Sequence, residues 1–391
     1  MSPPRSAATV ALLAVAALLP AASVAAQSAG ASSVPRSYIQ IASNGTSVWA
    51  SVVAGVKTTY LEHFDLATGR ALGTLSTPAQ KAGDSIPLGL AITGKIVVEA
   101  DAGGGKVGLQ DPYVDYTFTE MNVTTGAVRR TFTCASLGLV QCGNMTVANG
   151  TVYVGTSSST NSYRSDFSVT EISVATGKIT RTIKTSSLGL HANFTQSSHD
   201  LWVFTEPVPA HLGTQQFIEI NTATGAEVTH FTDPFLAGSQ YFAATASTLY
   251  VPVTVAGSKI TASNAGFGAP KGSVNGIAFV NAKTGKVTRV VKGLSYRFPL
   301  TTSLISSTWG ILGGIVTDGT NVWVNDSGTA KMTEFRAISG SLTRVATLGN
   351  GGSLAYSPEA LVIAGGQVLT VTLSGILDYS AATGALIHTL H

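Results

Sequence analysis

A Thr-Gly dipeptide, once Ser-Gly, follows a strand-like run seven times along this 391-residue chain. Its glycines are Gly69, Gly126, Gly177, Gly225, Gly285, Gly340 and Gly384, at intervals of 57, 51, 48, 60, 55 and 44 residues. A period of this length constrains architecture more than any local pattern, because each unit must bury its face against the next. Within a unit a small-residue strand leads to a short turn such as SNGT, VANG or TDGT. A β-branched and aromatic strand follows, as in VWASV, VYVGT, LWVFT and VWVND. A third strand runs into the Thr-Gly turn and a fourth leaves it. Seven such units predict an all-β, seven-bladed β-propeller of four-stranded blades.

Blades are expected near 37–78, 84–136, 138–187, 188–235, 237–292, 303–349 and 350–391. The first begins on an inner strand and the last ends on an outer one. Ring closure is therefore expected by packing of blade 1 on blade 7, without a shared strand. The glycines have a structural reason: the turn into strand four needs φ > 0, and the preceding hydroxyl can bond local backbone.

Residues 1–26 read as a signal peptide. Arg5 stands before the apolar run Ala8–Leu19, Pro20 breaks it, and Val24-Ala25-Ala26 suits cleavage before Gln27. An uncut anchor is the alternative. Residues 27–36 read as a linker. A secreted protein, off the membrane once cleaved, is the expectation. The net charge of +3, evenly spread, points away from nucleic acid. A monomer is expected. In an exported chain Cys134 and Cys142 are expected to form a disulfide joining the outer strand of one blade to the inner strand of the next; two buried thiols are the alternative.

The strings TEISVATGKITRTI, IEINTATGAEVTHF, AFVNAKTGKVTRVV and LEHFDLATGRALGTL resemble quinoprotein-like and YVTN-type propeller repeats. The resemblance covers nearly all of residues 27–391 and implies the propeller fold; it implies no single function. Repeats of the quinone-binding dehydrogenases carry a tryptophan shortly after Thr-Gly. Here Leu75, Phe132, Ile183 and Phe231 stand there, so pyrroloquinoline quinone is not expected. The unit number is also similar to that of the streptogramin-lyase-like group, but no residue is carried over from it.

Six residues before the turn glycines stand His63, Glu120, Glu171, Glu219, Phe279, Glu334 and Asp378; four after stand Gly73, Arg130, Arg181, Thr229, Arg289, Arg344 and His388. Glu120/Arg130, Glu171/Arg181 and Glu334/Arg344 are expected to face each other across the hairpin as scaffold ion pairs, worth about 0.2–1 kcal/mol when exposed.

Function is expected where the repeat breaks. Every long insertion (100–116, 156–168, 205–215, 253–275 and the crossing 291–308) falls on one face of the disc, where a rigid scaffold presents binding loops. Tyr163, Arg164, Tyr241, Tyr296, Arg297 and Trp309 are the aromatic and basic candidates for binding a protein or glycan there. Trp309 suits stacking on a sugar or anchoring a partner, or alternatively sealing the crossing between blades 5 and 6. Trp49, Trp202 and Trp323 read as blade packing.

Glu99, Asp101, Asp111 and Asp115 in and beside the blade-2 insert offer hard oxygen ligands to a divalent cation; their spacing matches no EF-hand, and a solvated acidic loop is the alternative. His191, Glu206 and His211 suit metal binding or general acid–base work, without an HExxH spacing; uncoupled histidines are the alternative. Sequence motifs of nucleophilic hydrolases and phosphate loops are absent. A non-catalytic binding module is therefore the leading expectation, with an extracellular metal-assisted lyase or hydrolase as the alternative.

Overall fold

The computed structural model describes residues 36–54, 58–81, 86–102, 116–157, 166–188, 191–197, 200–206, 216–232, 242–256, 259–262, 274–294, 313–326, 331–347, 361–372 and 375–391. They form seven antiparallel sheets. Blade 1 comprises β1 (Arg36–Ser43), β2 (Ser47–Ala54), β3 (Thr58–Asp65) and β4 (Ala71–Leu75). A helical turn, α1 (Pro78–Lys81), leads to blade 2: β5 (Ile86–Thr93), β6 (Ile96–Ala102), β7 (Tyr116–Asn122) and β8 (Val128–Thr133). Blade 3 has β9 (Gln141–Ala148), β10 (Thr151–Ser157), β11 (Asp166–Ser173) and β12 (Ile179–Leu188). Blade 4 has β13 (His191–Gln196), β14 (Asp200–Glu206), β15 (Gln216–Asn221) and β16 (Glu227–Thr232).

Blade 5 has β17 (Ala243–Ala244), β18 (Thr248–Ala256), β19 (Lys259–Ala262), β20 (Val274–Asn281) and β21 (Val287–Leu294). Blade 6 has β22 (Gly313–Thr317), β23 (Asn321–Asp326), β24 (Lys331–Arg336) and β25 (Leu342–Thr347). Blade 7 has β26 (Leu361–Ala364), β27 (Gln367–Thr372), β28 (Gly375–Ser380) and β29 (Leu386–Leu390).

Each sheet runs inner to outer in chain order. The inner strands β1, β5, β9, β13, β17, β22 and β26 neighbour one another in a closed circuit. This is the seven-bladed, all-β propeller that the repeat predicts. Blade 5 varies it: β17 is two residues long, and β19 pairs with the remainder of β18, so part of the insertion continues the inner edge.

There is no single core. Each apolar cluster instead spans one seam between blades. Trp49, Leu61, Val97 and Met121 join blades 1 and 2. Ile41, Phe64, Leu369 and Ile376 join blades 7 and 1. That last seam closes the ring by packing alone, as expected, and the backbones of Gly45 and Gly365 touch across it. The Cys134–Cys142 disulfide is present and ties the residue after β8 to β9.

The Thr-Gly turns are built locally. Asn122 Oδ1 accepts N–H bonds from Thr124 and Thr125 at 2.9 and 3.0 Å, while Gly126 N returns to Asn122 O at 2.9 Å. Gly126 then takes φ 68°, which a side chain disfavours. Beyond conformation, these glycines leave room for a neighbour. A Cβ on Gly177, Gly225 or Gly384 would collide with Arg130, Arg181 or Arg344 of the preceding blade.

Candidate functional site

The recurring charges belong to the seams. Register sets Glu120 opposite Arg130, Glu171 opposite Arg181 and Glu334 opposite Arg344. The ion pairs measure 3.5, 3.1 and 3.5 Å, and His388 lies 3.1 Å from Asp378 in the same arrangement. Each arginine then leans onto the turn of the next blade. Arg130 donates to Ala175 O at 3.2 Å and Arg344 to Ala382 O at 3.1 Å.

These carboxylates are not exposed, contrary to the surface-pair expectation, because the next blade covers them. Burial raises the pKa of Glu120, Glu171 and Glu334, and the arginine only partly offsets it. Glu219, opposite Thr229, has no such cation; burial and the charge of Asp200 both raise its pKa.

Trp49, Trp202 and Trp323 are buried in the seams, opposite His63, Glu219 and Glu334. Trp49 stacks on His63 at 4.3 Å and donates Nε1 to Val123 O at 3.0 Å.

Glu99 and Asp101 lie in β6, on one face, since residues two apart on a strand point the same way. Both are fully buried, so neither stands in an open loop. Thr77 caps α1, with Pro78 at the first helical position. Gln80 N donates to Thr77 Oγ1 at 3.3 Å and Thr77 N to Gln80 Oε1 at 3.0 Å, a reciprocal capping box. That box orients the remaining donors: Thr77 Oγ1 gives to Asp101 Oδ2 at 3.2 Å and Gln80 Nε2 to Glu99 Oε1 at 2.7 Å. Desolvation, then the charge of Asp101, holds the Glu99 carboxyl well above the usual range. The T-x-x-Q spacing at 77–80 was the sequence signal for this cap.

Asp111 and Asp115 lie outside the described residues, as do His211, Tyr163, Arg164, Tyr241, Tyr296, Arg297 and Trp309. His191 and Glu206 are brought together by register, directly opposite each other on β13 and β14. Among the described residues no group of three His, Cys, Asp or Glu is placed to hold a metal ion.

The axis holds a cavity of about 330 Å³ at the end bearing the short turns. Ile41, Ala91, Thr146, Phe194, Val316 and Val362 are among its walls, and none of its described lining residues is ionisable.

No protein-family model matches the sequence, and no curated protein does. Solved structures do. A hydrazine synthase chain of Kuenenia stuttgartiensis superposes with TM-score 0.56 at 13% identity, covering 92% of this chain and 99% of that one. The Pan2 WD40 domain of Neurospora crassa gives 0.53 at 9%, covering 87% and 86%. Virginiamycin B lyase from Staphylococcus aureus gives 0.51 at 14%, covering 86% and 92%. The likeness is one of fold. Enzymes and a WD40 domain share it, so it selects no activity.

Proposed function

We propose that the protein is an exported, non-catalytic propeller of the YVTN or quinoprotein-like type. In this reading residues 1–26 are removed, residues 37–391 form the propeller, and a monomer binds a protein or glycan. The observation that carries the reading is the sidedness of the connections. Turns joining first to second and third to fourth strands are short, such as 44–46 and 66–70. Connections 103–115, 158–165, 207–215, 295–312 and 348–360 all leave by the opposite face. The disulfide supports an oxidising compartment. No helix among the described residues is long and apolar enough to cross a membrane.

The test is a glycan array and a displayed library of secreted proteins. Replacing Tyr296, Arg297 and Trp309 by alanine is expected to lower binding to the selected partner at least about tenfold. Replacing Lys95, Asn149 and Lys178 on the short-turn face should leave it unchanged. The reverse pattern would overturn the reading.

One observation favours a second reading, a metal-assisted lyase or hydrolase: the pairing of His191 with Glu206. Metal analysis by mass spectrometry, on protein purified without chelator or metal-affinity resin, tests it. A stoichiometric divalent ion that disappears in His191→Ala is the expected result for that reading; metal-free protein removes it.

A further inference from the structure

Blade 5 breaks the seam pattern in one place. It keeps Arg289 four residues after its turn glycine but carries Phe279 where blades 2, 3, 4 and 6 carry glutamate. Register sets the two opposite each other. Arg289 is exposed, and its guanidinium carbon lies 5.8 Å from the centroid of the Phe279 ring. Its Nη1 donates to Ile338 O at 3.1 Å, the same reach onto the next blade that Arg130 and Arg344 make. Those two arginines and Arg181 each meet a carboxylate; among the described residues Arg289 meets none.

Beside it, between blades 5 and 6 on the short-turn face, runs a groove of about 450 Å³. Tyr250 and Phe279, both almost wholly buried, lie at its floor, and Ile338, 91% exposed, forms a lip. The Ser247 and Thr248 hydroxyls, 3.5 Å apart, stand on the rim. Thr245 and Thr288 are committed to backbone carbonyls. The nearby Asp318 turns Oδ1 to Thr320 N and Asn321 N, both at 2.8 Å.

A guanidinium presents five N–H donors in a planar fork that fits a carboxylate, and only one bond here is taken up by Ile338. We propose that this groove binds a ligand bearing a carboxylate on an apolar body. The carboxylate meets the exposed side of the Arg289 guanidinium, which no blade carboxylate takes up. The apolar body lies against Ile338, over the groove floor at Phe279 and Tyr250. The groove is on the face opposite the long connections, so its failure leaves the proposed binding face untouched.

The probes are phenylpropanoate and its neutral counterpart phenylpropanol, titrated by calorimetry into the whole protein. Saturable binding of the carboxylate in the millimolar range or tighter is expected, with the alcohol at least about tenfold weaker. Arg289→Gln should weaken the carboxylate by a similar factor. Phe279→Glu should do the same in protein that still unfolds cooperatively, because it supplies Arg289 with the carboxylate present in blades 2, 3 and 6. Arg344→Gln should bind as wild type. A short peptide ending in phenylalanine separates a chain-terminal carboxylate, which would bind more tightly than the free probe, from a small-molecule one. Equal binding of acid and alcohol, no saturation in the millimolar range, or wild-type binding by Arg289→Gln would overturn the proposal.

Discussion

Trp49→Ala is expected to destabilise the propeller by about 3–5 kcal/mol, the range for truncating a buried tryptophan. Its indole fills the seam between blades 1 and 2, with Leu61, Val97 and Met121 around it. It also lies beneath the Gly126 turn, donates to Val123 O, and stacks on His63. Blade 1 has Gly73 where blades 2, 3, 5 and 6 place an arginine, so no guanidinium shares the task. Trp323 is as deeply buried, but its seam retains Arg344 over the Gly384 turn. Urea unfolding checks this: the midpoint should fall with the m-value unchanged. Trp49→Phe should recover most of the apolar area and lose about 1 kcal/mol for the Val123 bond. A cost of Trp49→Ala no larger than that of Arg344→Ala would show that the indole does not carry the seam.

Glu99→Gln is expected to raise stability at pH 8 by about 1–3 kcal/mol and to flatten its pH dependence. In the unfolded chain Glu99 ionises near its ordinary value of 4.5; in the folded chain burial and Asp101 hold it higher. Between those two values the native state keeps a proton that the unfolded state has released. Stability therefore falls as pH rises through that window, by about 1.4 kcal/mol per pH unit for one group. Glutamine keeps an acceptor for Gln80 Nε2 and has no proton to lose. Glu120, Glu171, Glu219, Glu334 and Asp378 also have raised values, so the wild type keeps losing stability for other reasons. The difference between wild type and Glu99→Gln from pH 5 to 8 isolates Glu99. Parallel profiles would mean that the fold does not hold the Glu99 carboxyl above its ordinary range.

The features readable in the sequence were those set within a single hairpin. The Asn122-to-Gly126 turn, the register of Glu171 on Arg181 and the aromatic position of Trp202 all follow from a few neighbouring residues. Burial of Glu120 did not, because its cover is a turn about 50 residues further on, and no local pattern reports that. Glu99 and Asp101 looked like part of an acidic insert because the glycines at 103–105 follow so closely. The strand in fact runs to Ala102, and residue alternation then directs both side chains into the seam. The exchange of glutamate for Phe279 was visible in the aligned units. Its meaning was not, since the groove beside it depends on Ile338 and Gly319 of the next blade.

The closure between blades 7 and 1 has a mechanical consequence. With no strand threaded across it, every joint in the circle is made of the same parts, namely a side chain of one blade resting on a glycine turn of the next. Such a hoop has no clasp, and tension pulled around it is borne equally by all seven joints until the weakest gives way. The resting side chain differs from joint to joint: Trp49 between blades 1 and 2, Phe231 between 4 and 5 and His388 between 7 and 1 stand where arginines rest in the joints after blades 2, 3 and 6. The joint between blades 1 and 2 also encloses Glu99 and Asp101, so alkali loads that joint by forcing charge into it.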